Sequence, residues 1–169
     1  FGGACGGVGL CACEGTCVQG GHSVICGGSG IGRVEAAQLC AQRQRAHLHR
    51  PATTRAFSQR AFRAELRALV QRILTEGEHV VLYLEDVDLI APAMLEDAYT
   101  LAATGNLVGL HTREEEDLLH SHLGDARQSS GFAGSVGAFA AASIRARLHL
   151  CVSVCDDNPA AAHTLLSSH

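Results

Sequence analysis

Lysine and tryptophan are both absent from this chain of 169 residues. Without lysine, the chain cannot form a Schiff base through a side-chain amine or hold a phosphate with the lysine of an ordinary phosphate-binding loop. All 13 basic residues are arginine, and nine of them lie between Arg33 and Arg72, where we expect solvated helix faces. The formal net charge is −4, which argues against a general binder of nucleic acid or acidic lipid.

The chain also lacks a long apolar run. Its longest uncharged candidate, residues 131–144, is rich in Ala, Gly and Ser and is shorter than the roughly 18–20 apolar residues that a membrane span requires. The first residue is Phe1, and no basic segment followed by an apolar core marks a secretion signal. We therefore expect an intracellular fragment of a longer protein, without a membrane span.

The apolar fraction is nevertheless 47%, which is enough to bury a core, and the length predicts one domain. Four of the eight cysteines lie in a glycine-rich opening, at Cys5, Cys11, Cys13 and Cys17. Their spacing does not match the paired CxxC pattern of zinc sites. We expect residues 1–21 to be a disordered lead, residues 22–159 to be the folded unit, and residues 160–169 to be a tail.

Short apolar runs alternate along the chain with helical patterns. Strands are predicted at residues 22–26, 47–51, 79–84 and 148–154, and helices at 34–45, 56–76, 92–103, 112–123 and 136–144. Residues 124–131 are predicted to be a polar linker. This alternation predicts an α/β fold with a mainly parallel sheet flanked by helices.

A glycine-rich segment joins the first strand to the first helix. Such a segment binds phosphate because backbone N–H groups and a helix N-terminus converge on the anion. It follows the G-x-x-x-x-G-K-[ST] pattern at Gly27 and Gly32, with Arg33 in place of lysine and Val34 in place of the hydroxyl residue that ligates Mg²⁺. We therefore predict nucleotide phosphate binding by Gly27, Gly28, Ser29, Gly30, Ile31, Gly32, Arg33 and Val34.

The loop has two other interpretations. A dinucleotide-binding loop would need an acidic residue about 20 positions later, and none occurs between Glu35 and Glu65. A bare turn between strand and helix remains the alternative to phosphate binding.

The apolar strand predicted at residues 79–84 is followed by two acidic residues, Glu85 and Asp86. In P-loop NTPases, acidic residues at such a strand end hold Mg²⁺ and orient the attacking water. We predict Glu85 and Asp86 as Mg²⁺ ligands and Asp86 as the candidate catalytic residue. Because the usual order is Asp then Glu, the shorter Asp86 carboxylate should reach its water poorly, and we expect slow hydrolysis. Asp156, at the end of the last strand, is the candidate sensor of the γ-phosphate.

Several blocks of the sequence resemble the fourth AAA+ module of a dynein heavy chain. The resemblance covers roughly residues 23–158. Within this range the chain is similar in particular to the dyneins of intraflagellar transport, whose loop also has arginine in place of lysine. The matching blocks are a helix led by Phe62, the helix start Met94-Leu95-Glu96, the turn at residues 104–110 and the strand at residues 147–152.

This resemblance implies part of a minus-end-directed microtubule motor with a regulatory or structural nucleotide site. The ligand would be ATP or ADP, bound weakly or not at all and with little dependence on Mg²⁺. The implied partners are neighbouring AAA+ modules of the same heavy chain, light intermediate and other dynein chains, and a microtubule reached through a stalk outside this segment.

The implied location is the cytoplasm, the cytoskeleton and the cilium. Val34 and Glu35 depart from the family pattern, and the small helical lid is mostly missing. A free-standing P-loop NTPase or small-molecule kinase, and an α/β module without nucleotide, are the alternative functions.

Overall fold

A computed structural model describes residues 21–28, 30–51, 58–85 and 92–155 of the chain. These residues form four strands and five helices. In chain order they are β1 (Ser23–Gly27), α1 (Arg33–Arg43), β2 (His47–His49), α2 (Gln59–Glu76), β3 (Val80–Glu85), α3 (Pro92–Thr104), α4 (Arg113–Ser129), α5 (Val136–Arg147) and β4 (Leu148–Cys155). Residues 1–20 and 156–169 lie outside the described residues, and the predicted domain bounds stay a prediction.

The four strands form one sheet in the order β1-β4-β3-β2, and every pair is parallel. The central strands β3 and β4 are buried along almost their whole length, which is why they are continuous apolar runs rather than alternating ones. Gly27 of β1 lies opposite Cys155 of β4, and Glu85 of β3 lies opposite Ser153. The carboxyl ends of β1, β3 and β4 therefore meet at one edge, which follows from the parallel sheet that the sequence predicted.

Two hydrophobic clusters cover the two faces of the sheet. The larger contains residues of α2, α3, α5, β3 and β4, with Phe62, Leu66 and Leu148 almost fully buried. The smaller packs Ala37 and Cys40 of α1 against strand residues that include Tyr83. The helix after β1 thus covers one face and the helix after β3 the other, and sheets of this kind bind ligands at the carboxyl ends of their strands.

Local sequence signals explain most helix ends. Ser58 caps α2 through its side chain, and Gly77 ends that helix in a left-handed conformation at φ 67°. The predicted capping box of α4 is present, with reciprocal bonds between Thr112 and Glu115.

The predicted end of α4 at Leu123 was wrong, because the helix continues to Ser129 through the expected linker. The buried Leu123 and a hydrogen bond from Arg127 Nη1 to the carbonyl oxygen of Gly134, at 2.9 Å, tie the extra turns to the fold.

Candidate functional site

The glycine-rich segment connects β1 to α1 at the carboxyl edge of the sheet. Its backbone is left-handed at Gly30 and Gly32, with φ values of 77° and 85°, a conformation that glycine adopts without steric cost. Gly32 is also the N-cap of α1, so no cap side chain accepts a bond from the first-turn N–H groups. These N–H groups and the positive end of the helix dipole can together bind an anion.

The two ends of the loop are in close contact. A Cβ atom at Gly27 would lie 2.2 Å from Cδ1 of Ile31, so a larger residue at the end of β1 would displace the Ile31 side chain. Ile31 itself is 47% exposed. Gly28 and Gly30 continue the loop, while Ser29 lies outside the described residues.

Arg33, the first residue of α1, has a nitrogen that lacks a partner. Its Nη1 atom is buried and makes no hydrogen bond within the described part of the chain. A buried donor without an acceptor costs free energy, so such an atom in a native structure calls for an explanation. The oxygen of a phosphate would provide the acceptor, because guanidinium groups bind phosphate through parallel N–H donors. The loop and Arg33 therefore fit the phosphates of a nucleotide.

The next two residues of α1 weaken this site. Val34 is partly buried against the smaller hydrophobic cluster and has no hydroxyl group for a metal ion. Glu35 lies in the first turn, and its Oε2 atom would be 3.6 Å from a Cβ atom at Gly32. A carboxylate there stabilises the helix N-terminus, but it also repels an incoming phosphate.

Glu85 lies at the end of β3, on the sheet face that α1 covers. Val81 and Tyr83 pack with α1 in the smaller cluster, and alternate residues of a strand share a face. Both carboxylate oxygens of Glu85 have partners in the protein. Arg50 donates from Nη2 to Oε2 at 2.7 Å, and the Tyr83 hydroxyl donates to Oε1 at 3.2 Å.

Burial distinguishes the two partners of Glu85. The Glu85 side chain is 15% exposed and that of Arg50 is 47% exposed, so the ion pair lies at the rim of the sheet edge. Tyr83 is fully buried, and burial is the main cause that raises the pKa of its hydroxyl to about 12. Tyr83 therefore stays protonated, as a hydrogen-bond donor to Glu85, at every physiological pH.

The described residues do not by themselves complete a Mg²⁺ site. The ion requires near-octahedral oxygen coordination and loses its water reluctantly. Val34 offers it no oxygen, and both oxygens of Glu85 are already engaged. Asp86 and Asp156 lie outside the described residues, so their predicted roles in metal binding, catalysis and γ-phosphate sensing stay predictions. Among the described residues, no group of three or more His, Cys, Asp or Glu could hold a metal ion.

Arg50 was missed by the sequence analysis, and the interpretation of the arginines as solvated faces was too broad. Of the eight that the structure describes, four form ion pairs with carboxylates: Arg50 with Glu85, Arg63 with Asp97, Arg67 with Glu115 and Arg72 with Glu78. A signal was available for Arg50. It follows β2 directly, and the rule that parallel strands end at one edge places it near the end of β3.

One cavity of the described residues lies away from the glycine loop. It is a groove of about 580 Å³ between α2 and α4 and shares no residue with the glycine loop. None of the helices in the described ranges is both long and apolar enough to cross a membrane.

The chain matches one protein family over most of its length. Residues 17–165 fit the model of the family described as the P-loop containing dynein motor region D4. Individual relatives are also similar over most of the chain. The chain is 33% identical over 150 residues to cytoplasmic dynein 2 heavy chain 1 of Tripneustes gratilla, 34% over 143 residues to that of Caenorhabditis elegans, and 30% over 151 residues to that of Homo sapiens.

These alignments cover 83% of this chain but only 3–4% of each relative. The chain thus corresponds to a small part of the much longer heavy chains that it resembles.

Proposed function

Because the chain belongs to the P-loop containing dynein motor region D4 family, we propose that its glycine loop binds the phosphates of ATP or ADP weakly. The chain is an AAA+ module of a dynein heavy chain with a parallel P-loop sheet. We propose further that this degenerate site is regulatory or structural rather than the source of the motor's power. The relatives named above are dynein heavy chains, which is why we prefer this function to that of a free-standing P-loop enzyme.

The observation that supports nucleotide binding best is the unpartnered, buried Nη1 atom of Arg33 beside two left-handed glycines. The uncapped first turn of α1 supplies backbone donors at the same place. One anion would satisfy both the Arg33 nitrogen and the first-turn N–H groups, whereas a simple turn between strand and helix needs neither.

Calorimetric titration with ATP tests this proposal. We expect weak binding that is largely lost in Arg33→Ala, because the variant removes the cation that begins α1. Arg43→Ala is the matched control, since it removes the same charge from the exposed far end of the same helix. Equal affinities for the parent and Arg33→Ala would contradict phosphate binding at this loop. No binding to either protein would favour an α/β module without nucleotide.

We propose that hydrolysis by this chain is negligible. Val34 lacks the hydroxyl ligand of Mg²⁺, and Asp86 is one methylene shorter than the usual glutamate. In addition, an arginine finger would have to come from a neighbouring module, and such a finger can raise the rate of hydrolysis by a factor of about 10³–10⁵. Steady-state phosphate release should stay far below about 1 s⁻¹, an ordinary enzymatic rate. A rate near that value, abolished by Asp86→Ala, would contradict this part of the proposal.

The wider context follows from the relatives. We propose that the parent protein is a minus-end-directed microtubule motor of intraflagellar transport, in the cytoplasm and cilium. The module would contact neighbouring AAA+ modules of the same chain, with light intermediate chains and the microtubule bound elsewhere on the parent. The flanking sequence tests this: further P-loop modules should precede this one, and a long heptad stalk should follow it.

A further inference from the structure

The segment that carries Arg50 is held in place from both sides. β2 pairs with β3 in parallel register from His47 to His49, and His49 Nε2 lies 2.9 Å from Glu65 Oε2 on α2. Pro51, directly after Arg50, is buried, and proline fixes its own φ angle. The backbone therefore presents Arg50 at the edge where Glu85 ends β3.

At this edge the guanidinium group of Arg50 places a positive charge beside the carboxylate of Glu85. In a P-loop NTPase, a carboxylate at this position would bind a metal ion. The Nη2 atom of Arg50 contacts Oε2 of Glu85 at 2.7 Å, while Tyr83 donates to Oε1. A guanidinium is always protonated and binds both carboxylates and phosphates. It can therefore neutralise Glu85 without the oxygen ligands that Mg²⁺ would require.

We propose that Arg50 is the resident cation of this site, which neutralises Glu85 in place of Mg²⁺ and makes phosphate binding independent of divalent ions. The inference rests on the proposed function and extends it, because it assigns a residue to the site and predicts which cation the site uses. Val34 is consistent with this assignment, since a site that does not bind the ion has no use for the hydroxyl ligand.

Mn²⁺ binding to the chain without nucleotide tests this assignment, measured by electron paramagnetic resonance of the free ion. Arg50→Gln should raise Mn²⁺ affinity about fivefold, the change expected when a half-exposed ion pair ceases to compete. The gain should disappear in the double variant Arg50→Gln/Glu85→Gln. Arg50→Lys keeps the charge and should behave like the parent.

Arg60→Gln is the matched control, since it removes the same charge from an exposed position at the start of α2. Circular dichroism checks that each variant is folded. If Arg60→Gln gives the same gain as Arg50→Gln, or if Arg50→Gln gives none, the assignment of Arg50 is overturned.

ATP titrations with and without Mg²⁺ complete the test. The parent should bind ATP equally well in both conditions, whereas Arg50→Gln should bind about fivefold better with Mg²⁺. The two proposals fail separately. Absence of ATP binding to the parent overturns the proposed function, and the Mn²⁺ titrations still test Arg50. ATP binding that depends on Arg33, combined with unchanged Mn²⁺ binding in Arg50→Gln, leaves the proposed function standing and overturns the role of Arg50.

Discussion

Gly105, directly after α3, should be among the least replaceable residues of the fold. It is buried, its N–H group donates to the carbonyl oxygen of Leu101 at 2.8 Å, and its φ angle is 71°. A Cβ atom at this position would lie 2.1 Å from the carbonyl oxygen of Ala141 and 2.7 Å from its Cα atom on α5. Alanine would therefore suffer both from the left-handed backbone and from overlap with rigid helix backbone.

Gly109 separates these two effects. Its φ angle is 72°, nearly the same, but a Cβ atom there would meet nothing within 4 Å. Gly109→Ala should lose only the cost of the left-handed conformation, about 1–2 kcal/mol in the free energy of unfolding. Gly105→Ala should lose about 1–3 kcal/mol more, the usual cost of overpacking, because α5 must move away from α3.

Thermal and urea unfolding followed by far-ultraviolet circular dichroism measures both variants. For a domain of this size, about 1 kcal/mol lowers the Tm by roughly 2–4 °C. We expect a Tm loss of about 4 °C for Gly109→Ala and about 10 °C for Gly105→Ala, which follows from the same relation. Equal losses in the two variants would refute the argument that close packing of α3 on α5 requires glycine.

Two further variants test the charges of the fold and of the site. Asp97 is buried and accepts from Arg63 Nε and Nη2 at 2.7 Å and from Gln59 at 2.9 Å, so Asp97→Asn should cost about 1–2 kcal/mol in stability at neutral pH. The hydrogen bonds from Arg63 lower the pKa of Asp97 in the folded state. The contribution of Asp97 to stability should therefore be present at neutral pH and be lost as the pH falls below about 4. Unfolding measured at several pH values should show that Asp97→Asn loses less stability in acid than the parent does. An equal loss of stability in acid would contradict this. Glu35→Gln should tighten ATP binding in calorimetry several-fold, because it removes a negative charge from the helix N-terminus, whereas Glu76→Gln, at the exposed end of α2, should not.

The strands were predictable because burial on both faces leaves a clear apolar signal. The run of residues 79–84 predicted a central strand, and β3 occupies Val80–Glu85. The extent of α4 was not predictable in the same way. Gly124 lowers helix propensity by about 1 kcal/mol relative to alanine, and the signals that outweigh it are tertiary: the burial of Leu123 and the bond from Arg127 to Gly134.

The same distinction between local and long-range signals applies to the site. The loop and the acidic strand end were found from local spacing, because each lies within a few residues of its own strand. The ion pair between Arg50 and Glu85 joins residues 35 positions apart, and its existence depends on which strand lies next to β3. The sheet order β1-β4-β3-β2 places β2, and with it Arg50, next to β3.

Backbone amide chemical shifts during an ATP titration test the central claim most directly. In a ¹H–¹⁵N spectrum of the chain, we expect the largest changes at Gly30, Gly32, Arg33 and the first turn of α1, where the uncapped N–H groups lie. The changes should be similar with and without Mg²⁺ and should be lost in Arg33→Ala. Shifts confined to the groove between α2 and α4, around His111 and His122, or no shifts at all, would contradict nucleotide binding by the glycine loop.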